Sequence, residues 1–563
     1  MRPLGEILVS EGAIDPKQLE EALSIQKAKY DLLGKILIAG GAVKERDILK
    51  ALALQFDLHY IDRLDEVPEK DALEALAPLS FFKKNVILPY LLEDNSIRVA
   101  SSNPLNTAPM DDLQALTDKS IIQVLCPGDV ITSRIHNIIE ESFSSTEEVM
   151  EGISDENVGT ISINFDEAQD LLDLSDEAPI IRLVNQLFYQ AVKERASDIH
   201  IEPYESRIII RFRIDGTLYE KLKPQKTFHS AIVSRIKVMA GLNIAERRLP
   251  QDGRIKIKIA GNDVDIRVSI IPTAFGERIV LRILDRANIL MGISDLGMSS
   301  EEVKIFNRII HASNGIILVT GPTGSGKTTT LYAALQGLNS TERNILTVED
   351  PVEYQIPGIG QIPVNVKAGL TFAKGLRSIL RQDPDIVMVG EIRDLETAEI
   401  AIQSSLTGHL VLSTLHTNDA ASAITRLVDM GVEAFLVSAT LRAVIAQRLV
   451  RRICVNCRES YEPPQELLKE LGIELKNKGH SFFKGAGCEN CSGTGYSGRK
   501  AIYEIMTITE PVRRLIVESC DRDAIKREAL KHGMITLRED GLRNIIEGAT
   551  TPEEVIAATR EVE

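Results

Sequence analysis

The segment GIILVT at 315–320, followed directly by GPTGSGKT at 321–328 and TTLYAAL at 329–335, predicts a buried strand, a glycine-rich loop and a helix. In this context GxxxxGKT binds phosphate, because backbone N–H groups and the helix N-terminus converge on phosphate oxygens. We expect Lys327 to bridge the β- and γ-phosphates of a nucleotide and Thr328 to offer its hydroxyl to Mg²⁺. The candidate nucleotide-binding residues are Gly321, Pro322, Thr323, Gly324, Ser325, Gly326, Lys327, Thr328 and Thr329.

Two further predicted strands of this region end in carboxylates. ILTV at 345–348 leads into Glu349 and Glu353, and IVMVG at 386–390 leads into Glu391. Ligands bind at the carboxyl edge of a doubly wound sheet, so we expect these side chains near the loop. The second segment has the pattern of a Walker B strand, although its glycine stands where many nucleotide hydrolases have an Mg²⁺-linked Asp.

Histidines flank a third apolar strand, LVLSTL at 410–415, with His409 before it and His416 after it. A single histidine in such a position is most often structural. Two histidines around one strand of a nucleotide-binding core favour a γ-phosphate sensor for at least one of them.

Residues 178–290 predict an α+β domain that is rich in arginine. A helical pattern precedes SDIHIEP at 197–203, and Asp215-Gly216 predicts a hairpin turn between strands at 208–214 and 218–222. We expect most of the basic side chains to form surface ion pairs and a minority to face a neighbour's phosphates.

The net charge of −16 is concentrated in one stretch. Residues 140–177 contain 13 acidic side chains and no Lys or Arg, which predicts a flexible, solvated tether. The rest of the chain is nearly neutral and the pI is about 5.3, so a broadly basic nucleic-acid surface is not expected. No apolar run approaches the roughly 18 residues of a membrane span. Polar residues break the N-terminal apolar character, so no secretory signal is expected.

The first 60 residues contain an internal repeat. Residues 4–26 and 33–55 align at a spacing of 29, and each copy predicts a short helix, a glycine stop and a second amphipathic helix. One interpretation is a duplicated helical hairpin that serves only for docking. The identical pairs are Leu4/Leu33, Gly5/Gly34, Ile7/Ile36, Leu8/Leu37, Gly12/Gly41, Ala22/Ala51, Leu23/Leu52 and Gln26/Gln55.

Four of the six cysteines form two CxxC pairs, Cys454/Cys457 and Cys488/Cys491. Each pair can hold one side of a tetrahedral ion, and four thiolates favour Zn²⁺ while leaving no open position. We therefore predict a structural zinc site, with a disulfide pairing as the alternative. Six cysteines in a chain of this length are too few for a disulfide scaffold.

GPTGSGKT, TVEDPVEY, LRQDPDIVMVGEIRD and TGHLVLSTLHTND resemble the Walker A, Asp box, Walker B and His box of the secretion ATPase superfamily, in order and in spacing. With SDIHIEP, RFRIDG and ERRLPQDGR, the resemblance covers about 175–563 and is to the assembly ATPases of type II secretion and type IV pili, the GspE/PilB group. SLTGHLVLSTLHTN and DEAPIIRLVNQLF favour the secretion member.

The resemblance implies a homohexamer with ATP bound between the middle and P-loop domains, which rotate against each other. It implies that Lys327 and Thr328 hold phosphates and Mg²⁺, and that middle-domain arginines stabilise the transition state across an interface, an effect of roughly 10³–10⁵ in rate. Neither the base nor the acting arginines can be selected from spacing. The implied candidates are Glu349, Glu353 and Glu391 for the attacking water, His409 and His416 for the γ-phosphate, and Arg211, Arg213 and Arg235 for the transition state.

The repeat is similar to the MshE-like tandem cyclic-di-GMP motif at the N-terminus of some of these ATPases. It departs from that motif at Pro3 and Leu32, where the family usually has arginine, and this loss would weaken binding by about 1–3 kcal/mol. The residues that the similarity assigns to the dinucleotide are Arg2, Leu4, Gly5, Leu8, Gly12, Leu23, Gln26, Leu33, Gly34, Leu37, Gly41, Leu52 and Gln55.

The expected fold class is a multidomain α/β protein. Its parts are a helical and α+β N-terminal domain, an α+β (PAS-like) middle domain, a RecA-like P-loop core with a tetra-cysteine zinc module, and C-terminal helices. The predicted boundaries are 1–139 for the N-terminal domain (1–60 for the tandem motif), 140–177 for the linker, 178–290 for the middle domain, 291–450 for the ATPase core, 451–500 for the zinc module and 501–563 for the C-terminal helices.

The resulting hypothesis is a cytoplasmic ATPase, recruited to the inner-membrane face, that drives pseudopilus assembly in type II secretion under cyclic-di-GMP control. Its expected cofactors are ATP, Mg²⁺, Zn²⁺ and cyclic-di-GMP. The expected partners are an inner-membrane platform protein resembling GspF or PilC and the cytoplasmic part of a recruiting protein resembling GspL or PilM, with no nucleic acid. The alternatives are a PilB-like pilus extension ATPase, a cyclic-di-GMP receptor with vestigial hydrolysis, and a conjugation-type nucleic-acid translocase.

Overall fold

The computed structural model describes residues 2–29, 32–93, 95–142, 179–259, 262–285, 291–472 and 482–560. The predicted acidic tether lies outside these residues except for its first three, 140–142, which end a helix. Among the described residues, no helix combines the length and the apolar character needed to cross a lipid bilayer.

The repeat forms two copies of a short helix followed by a longer one. The helices pack mainly between copies, since the first helix packs against the fourth and the second against the third. A capping box starts the second helix, where Asp15 Oδ1 accepts from the N–H of Gln18 at 2.8 Å and Gln18 Oε1 accepts from the N–H of Asp15 at 2.9 Å. These helices are α1 (Leu4–Ser10), α2 (Pro16–Lys29), α3 (Leu33–Ala39) and α4 (Glu45–Phe56).

The rest of the N-terminal region is a small α/β unit. Its four strands have the spatial order β1-β4-β3-β2, with β2 antiparallel to β3 and the other pairs parallel. The elements are β1 (His59–Tyr60), α5 (Lys70–Glu74), α6 (Leu79–Asn85), β2 (Ile87–Leu92), β3 (Ser96–Ser101), α7 (Ala108–Thr117), β4 (Ser120–Leu125) and α8 (Gly128–Ser142).

The middle domain is a six-stranded antiparallel sheet of order β7-β6-β5-β10-β9-β8 with two helices. Phe188 and Ile236 on these helices are buried in the same apolar core as the strands. The predicted hairpin turn is present, with φ +48° at Asp215 and +89° at Gly216. The elements are α9 (Pro179–Lys193), β5 (Asp198–Pro203), β6 (Ile208–Ile214), β7 (Thr217–Leu222), α10 (His229–Met239), β8 (Gln251–Ile259), β9 (Asn262–Thr273) and β10 (Gly276–Asp285).

The P-loop domain is built on a seven-stranded sheet of order β13-β12-β14-β15-β11-β16-β19. All neighbouring strands are parallel except the last pair. The central strand is covered on both faces, because Ile317 and Val319 pack towards the P-loop helix while Ile316 and Leu318 pack towards the opposite helices.

This domain contains the following described elements. They are α11 (Ser300–Ile310), β11 (Gly315–Thr320), α12 (Lys327–Leu338), β12 (Ile345–Glu349), β13 (Gly360–Pro363), α13 (Phe372–Ile379), β14 (Ile386–Val389), α14 (Leu395–Leu406), β15 (Leu410–Leu415), α15 (Ala420–Asp429), α16 (Ala434–Thr440), β16 (Leu441–Ile453), β17 (Arg458–Tyr461), α17 (Gln465–Glu470), β18 (Phe482–Gly485), β19 (Tyr496–Thr507), α18 (Glu510–Glu518), α19 (Arg522–Lys531), α20 (Leu537–Ile546) and α21 (Pro552–Thr559).

The cysteine module is an insertion into this sheet. It lies between β16 and β19, which pair antiparallel and extend the sheet at one edge. The boundaries predicted at residues 450 and 500 therefore fall inside these two strands. The middle domain touches this edge, where Asp215 Oδ2 accepts from the N–H of Gly498 at 2.8 Å.

Candidate nucleotide site

The phosphate loop joins the carboxyl end of β11 to the start of α12. Gly324 and Gly326 have φ of +80° and +85°, a region that other residues rarely adopt. Lys327 Nζ donates to the carbonyl oxygens of Gly321 at 2.8 Å and Pro322 at 3.0 Å, so the loop closes around its own lysine. Burial lowers the pKa of Lys327 to about 8. Thr328 is exposed at the mouth of the loop.

Glu391 and His416 lie together at this edge of the sheet. Glu391 comes shortly after β14 and His416 directly after β15. β15 runs parallel beside β11, and β14 runs parallel on the other side of β15. His416 Nε2 is 3.5 Å from Glu391 Oε2, while Arg393 pairs with Oε1 of the same carboxylate. Burial and the charge of Lys327 lower the pKa of His416, which favours a neutral imidazole at neutral pH.

His409 lies at the other end of β15. Its carbonyl oxygen accepts from the N–H of Gly315, the first residue of β11. A six-residue strand rises about 3.3 Å per residue, so His409 is roughly 20 Å along the strand from the phosphate loop. Its Nδ1 is 2.8 Å from the carbonyl oxygen of Ser404. The structure brings His416 to the loop and leaves His409 in a helix-to-strand connection.

The other two glutamates have different surroundings. Glu349 is buried, and its carboxylate accepts from the Tyr332 hydroxyl, the Thr347 hydroxyl and Gln361 Nε2. Glu353 is more exposed, and its Oε2 lies 3.1 Å from a guanidinium nitrogen of Arg267 on β9. The charge of Glu391 acts on Lys327 and partly offsets the effect of burial on the pKa of that lysine.

Two of the three predicted arginines are held within the middle-domain sheet. Arg211 pairs with Glu202 at 2.7 Å, and Arg213 Nε is 3.7 Å from Asp198. Arg235, on α10, is buried. The middle-domain arginine that contacts Glu353 is instead Arg267, which was one of many arginines in the sequence with no spacing signal to single it out.

The four cysteines of the CxxC pairs form one cluster, with all Sγ atoms within 4.8 Å of one another. Three Sγ–Sγ distances are 3.8, 3.8 and 3.7 Å. A tetrahedral ion with Zn–S bonds of about 2.3 Å requires sulfurs about 3.8 Å apart, so the donor set fits such an ion. N–H groups of Gly487 and Gly495 point at Sγ of Cys457 and Cys491, each at 3.3 Å.

The candidate dinucleotide residues divide into buried and accessible ones. Leu8 and Leu37 are buried in the core of the repeat. A Cβ at Gly5 would lie 2.5 Å from Leu19 Cδ1, so this glycine permits helix packing. Leu23 is exposed, and Gln55 Nε2 donates to the carbonyl oxygen of Arg2 at 2.9 Å.

A family model described as type II/IV secretion system protein matches residues 173–557. The chain belongs to this family. A second model, described as the MshEN domain, matches residues 56–144, mostly beyond the repeat.

Curated relatives extend over nearly the whole chain. The type IV pilus assembly ATPase PilB of Myxococcus xanthus is 42% identical over 562 residues and covers 99% of this chain and 98% of that protein. Type II secretion system protein E of Dickeya dadantii is 47% identical over 503 residues, which are 88% of this chain and 99% of that protein. The X-ray structure of the Legionella pneumophila ATPase DotB has a TM-score of 0.50 at 21% identity, covers 66% of this chain and 94% of that chain, and shares the fold.

Membership of the secretion ATPase family confirms the predicted fold class and the predicted ATP hydrolase. The chain is an ATP-hydrolysing motor with a RecA-like core. Its family consists of hexameric ATPases that work with membrane platform proteins.

Proposed function

We propose that this chain powers pseudopilus assembly in a type II secretion system, from the cytoplasmic face of the inner membrane. The observation that carries the proposal is the meeting of the phosphate loop, Glu391 and His416 at one sheet edge in a secretion ATPase. Lys327 and Thr328 hold the phosphates and Mg²⁺, and Glu391 orients or deprotonates the attacking water. Bound Mg²⁺ neutralises charge that develops on the phosphates.

Lys327→Ala tests this site. Hydrolysis by the purified wild type is expected to exceed that of Lys327→Ala by at least about 100-fold, because the lysine contributes charge to the transition state. Lys304→Ala, an exposed lysine on α11, is the matched control and should retain wild-type activity. Equal rates for wild type and Lys327→Ala would contradict the proposal.

A type IV pilus is the second candidate system, because PilB of Myxococcus xanthus aligns with 99% of this chain. Disruption of the gene is expected to abolish export of secreted enzymes and to leave surface pili in place. Loss of pili with normal export would assign the chain to pilus extension. Co-purification with a platform protein from one system or the other gives an independent test.

We further propose that cyclic-di-GMP binds the N-terminal repeat. The accessible motif residues support this, since Leu23 is exposed and Gln55 contacts Arg2 at the surface. Calorimetry of the full chain at tens of micromolar should detect binding, and Gln55→Ala should weaken it. Absence of binding by the wild type would mean that the departures at Pro3 and Leu32 disable the motif.

Zinc is the proposed ion of the cysteine cluster. Elemental analysis should find one zinc per chain, Cys491→Ser should lose it, and Cys520→Ser, outside the cluster, should keep it. A metal-free wild type with ordinary stability would contradict the proposal.

A further inference from the structure

Tyr332 occupies a junction between the P-loop helix and the segment after β12. It lies on α12, five residues beyond Lys327, and is almost completely buried. Its ring packs edge-on against that of Tyr354, with centroids 4.4 Å apart. Its hydroxyl donates to Glu349 Oε2 and accepts from the N–H of Glu353 at 3.4 Å. One hydroxyl therefore contacts two separate residues of the Asp box.

Glu349 holds this hydroxyl in place. Its other oxygen accepts from Thr347 and, at 3.1 Å, from Gln361 Nε2, and Gln361 also donates to the carbonyl oxygen of Tyr354 at 3.1 Å. A carboxylate that is buried and has these donors is held in one orientation. Burial and Glu349 raise the pKa of Tyr332, so the hydroxyl keeps its proton at physiological pH.

The same network reaches the middle domain. The backbone of Glu353 is held by Tyr332, and its carboxylate lies 3.1 Å from a guanidinium nitrogen of Arg267. The contacts thus form a continuous path from α12, through Tyr332 and Glu353, to β9. Tyr332, Glu353 and Arg267 all lie outside the phosphate loop at 321–328.

We propose that Tyr332 is a positioning residue for ATP hydrolysis: it fixes Glu353 so that Glu353 can hold Arg267 and seat the middle domain against the nucleotide site. The inference rests on ATP hydrolysis at the P-loop, as proposed above. Tyr332 itself acts through Glu353 and Arg267, without contact to the phosphates.

Tyr332→Phe removes the hydroxyl and keeps the ring. We expect kcat to fall about tenfold while the directly measured ATP affinity changes less than about threefold, because the phosphate loop is untouched. Tyr354→Phe is the matched control, since its ring is the packing partner, and it should leave kcat within about twofold of wild type.

A double-mutant cycle separates positioning from a general loss of stability. Arg267→Ala alters a partly exposed residue and should by itself lower kcat to a similar extent. If both residues act on one path, Tyr332→Phe adds less than about twofold to Arg267→Ala. A normal kcat for Tyr332→Phe, or fully multiplicative losses in the double variant, would overturn the inference. A wild type no faster than Lys327→Ala would instead overturn the proposed function.

Discussion

The phosphate loop and the N-terminal repeat both contain glycines at fixed spacing, and the helical glycines of the repeat have a different physical role from the glycines of the loop. In the loop, Gly324 and Gly326 adopt φ of +80° and +85° and turn the backbone around Lys327. In the repeat, Gly5 and Gly34 lie inside helices, and the missing Cβ atoms give room to Leu19 and Ile48.

Glycines that shape a ligand-binding loop can therefore be distinguished from glycines that permit close helix packing. The loop glycines adopt a left-handed backbone conformation, whereas the helical glycines of the repeat allow the helices to pack closely around their apolar core. The role of a glycine in these motifs is therefore read from its φ angle and from the atoms that a Cβ would meet.

The largest expected effect is that of Gly326→Ala. A Cβ at this position would lie 2.8 Å from Gln447 Nε2 and would have to adopt φ +85°. We expect hydrolysis to fall at least about 100-fold, because a distorted loop can no longer direct its N–H groups at phosphate. Steady-state ATPase assays measure this, with circular dichroism to verify folding. Near-normal activity would show that the loop tolerates the side chain and that its glycine is dispensable.

Gly5→Ala should lower the stability of the repeat and leave hydrolysis unaffected. Its Cβ would lie 2.5 Å from Leu19 Cδ1, and overpacking of this kind costs about 1–3 kcal/mol. Gly34→Ala should cost less, because its nearest neighbour, Ile48 Cγ2, is 3.2 Å away. Hydrogen exchange of α1 to α4 should report the loss, while the ATPase rate without dinucleotide stays unchanged. Greater destabilisation by Gly34→Ala than by Gly5→Ala would contradict this explanation from Cβ distances.

The smallest effect concerns Lys327 in the nucleotide-free chain. Burial lowers its pKa to about 8, so its neutral, reactive amine accumulates as the pH rises through 8. In the unfolded chain the corresponding pKa is about 10.4. Labelling with an amine reagent, followed by peptide mass spectrometry, should give a midpoint near 8 for the folded protein and a higher one in denaturant. Identical midpoints would mean that the loop does not bury its lysine.

The P-loop strand could be predicted from sequence to the residue, since GIILVT is apolar, bounded by glycines and followed by an unambiguous loop. The different positions of the two histidines also follow from a simple rule. In a parallel sheet the residue before a strand lies at the amino ends of the strands and the residue after it lies at the carboxyl ends. Of the two histidines, only His416 therefore lies at the end of β15 that is next to the phosphate loop.

The roles of the glutamates could not be predicted in this way. Glu349 ends one buried strand and Glu391 follows another, but the donors that surround Glu349 come from α12, β12 and β13. The choice of Arg267 over Arg211 and Arg213 likewise depends on how the middle domain sits against the P-loop domain. The surroundings of Glu349 and the contact of Arg267 both depend on packing between residues far apart in sequence, which the spacing of residues does not reveal.

Glu391, and not Glu349, is proposed to act on the attacking water. Single-turnover hydrolysis by Glu391→Gln and by Glu349→Gln, with ATP binding measured separately, distinguishes the two glutamates. We expect Glu391→Gln to bind ATP with nearly wild-type affinity and to hydrolyse it at least about 100-fold more slowly. Glu349→Gln should lose less, because the amide can retain part of the network around Tyr332. Wild-type turnover by Glu391→Gln would show that Glu391 does not act on the attacking water.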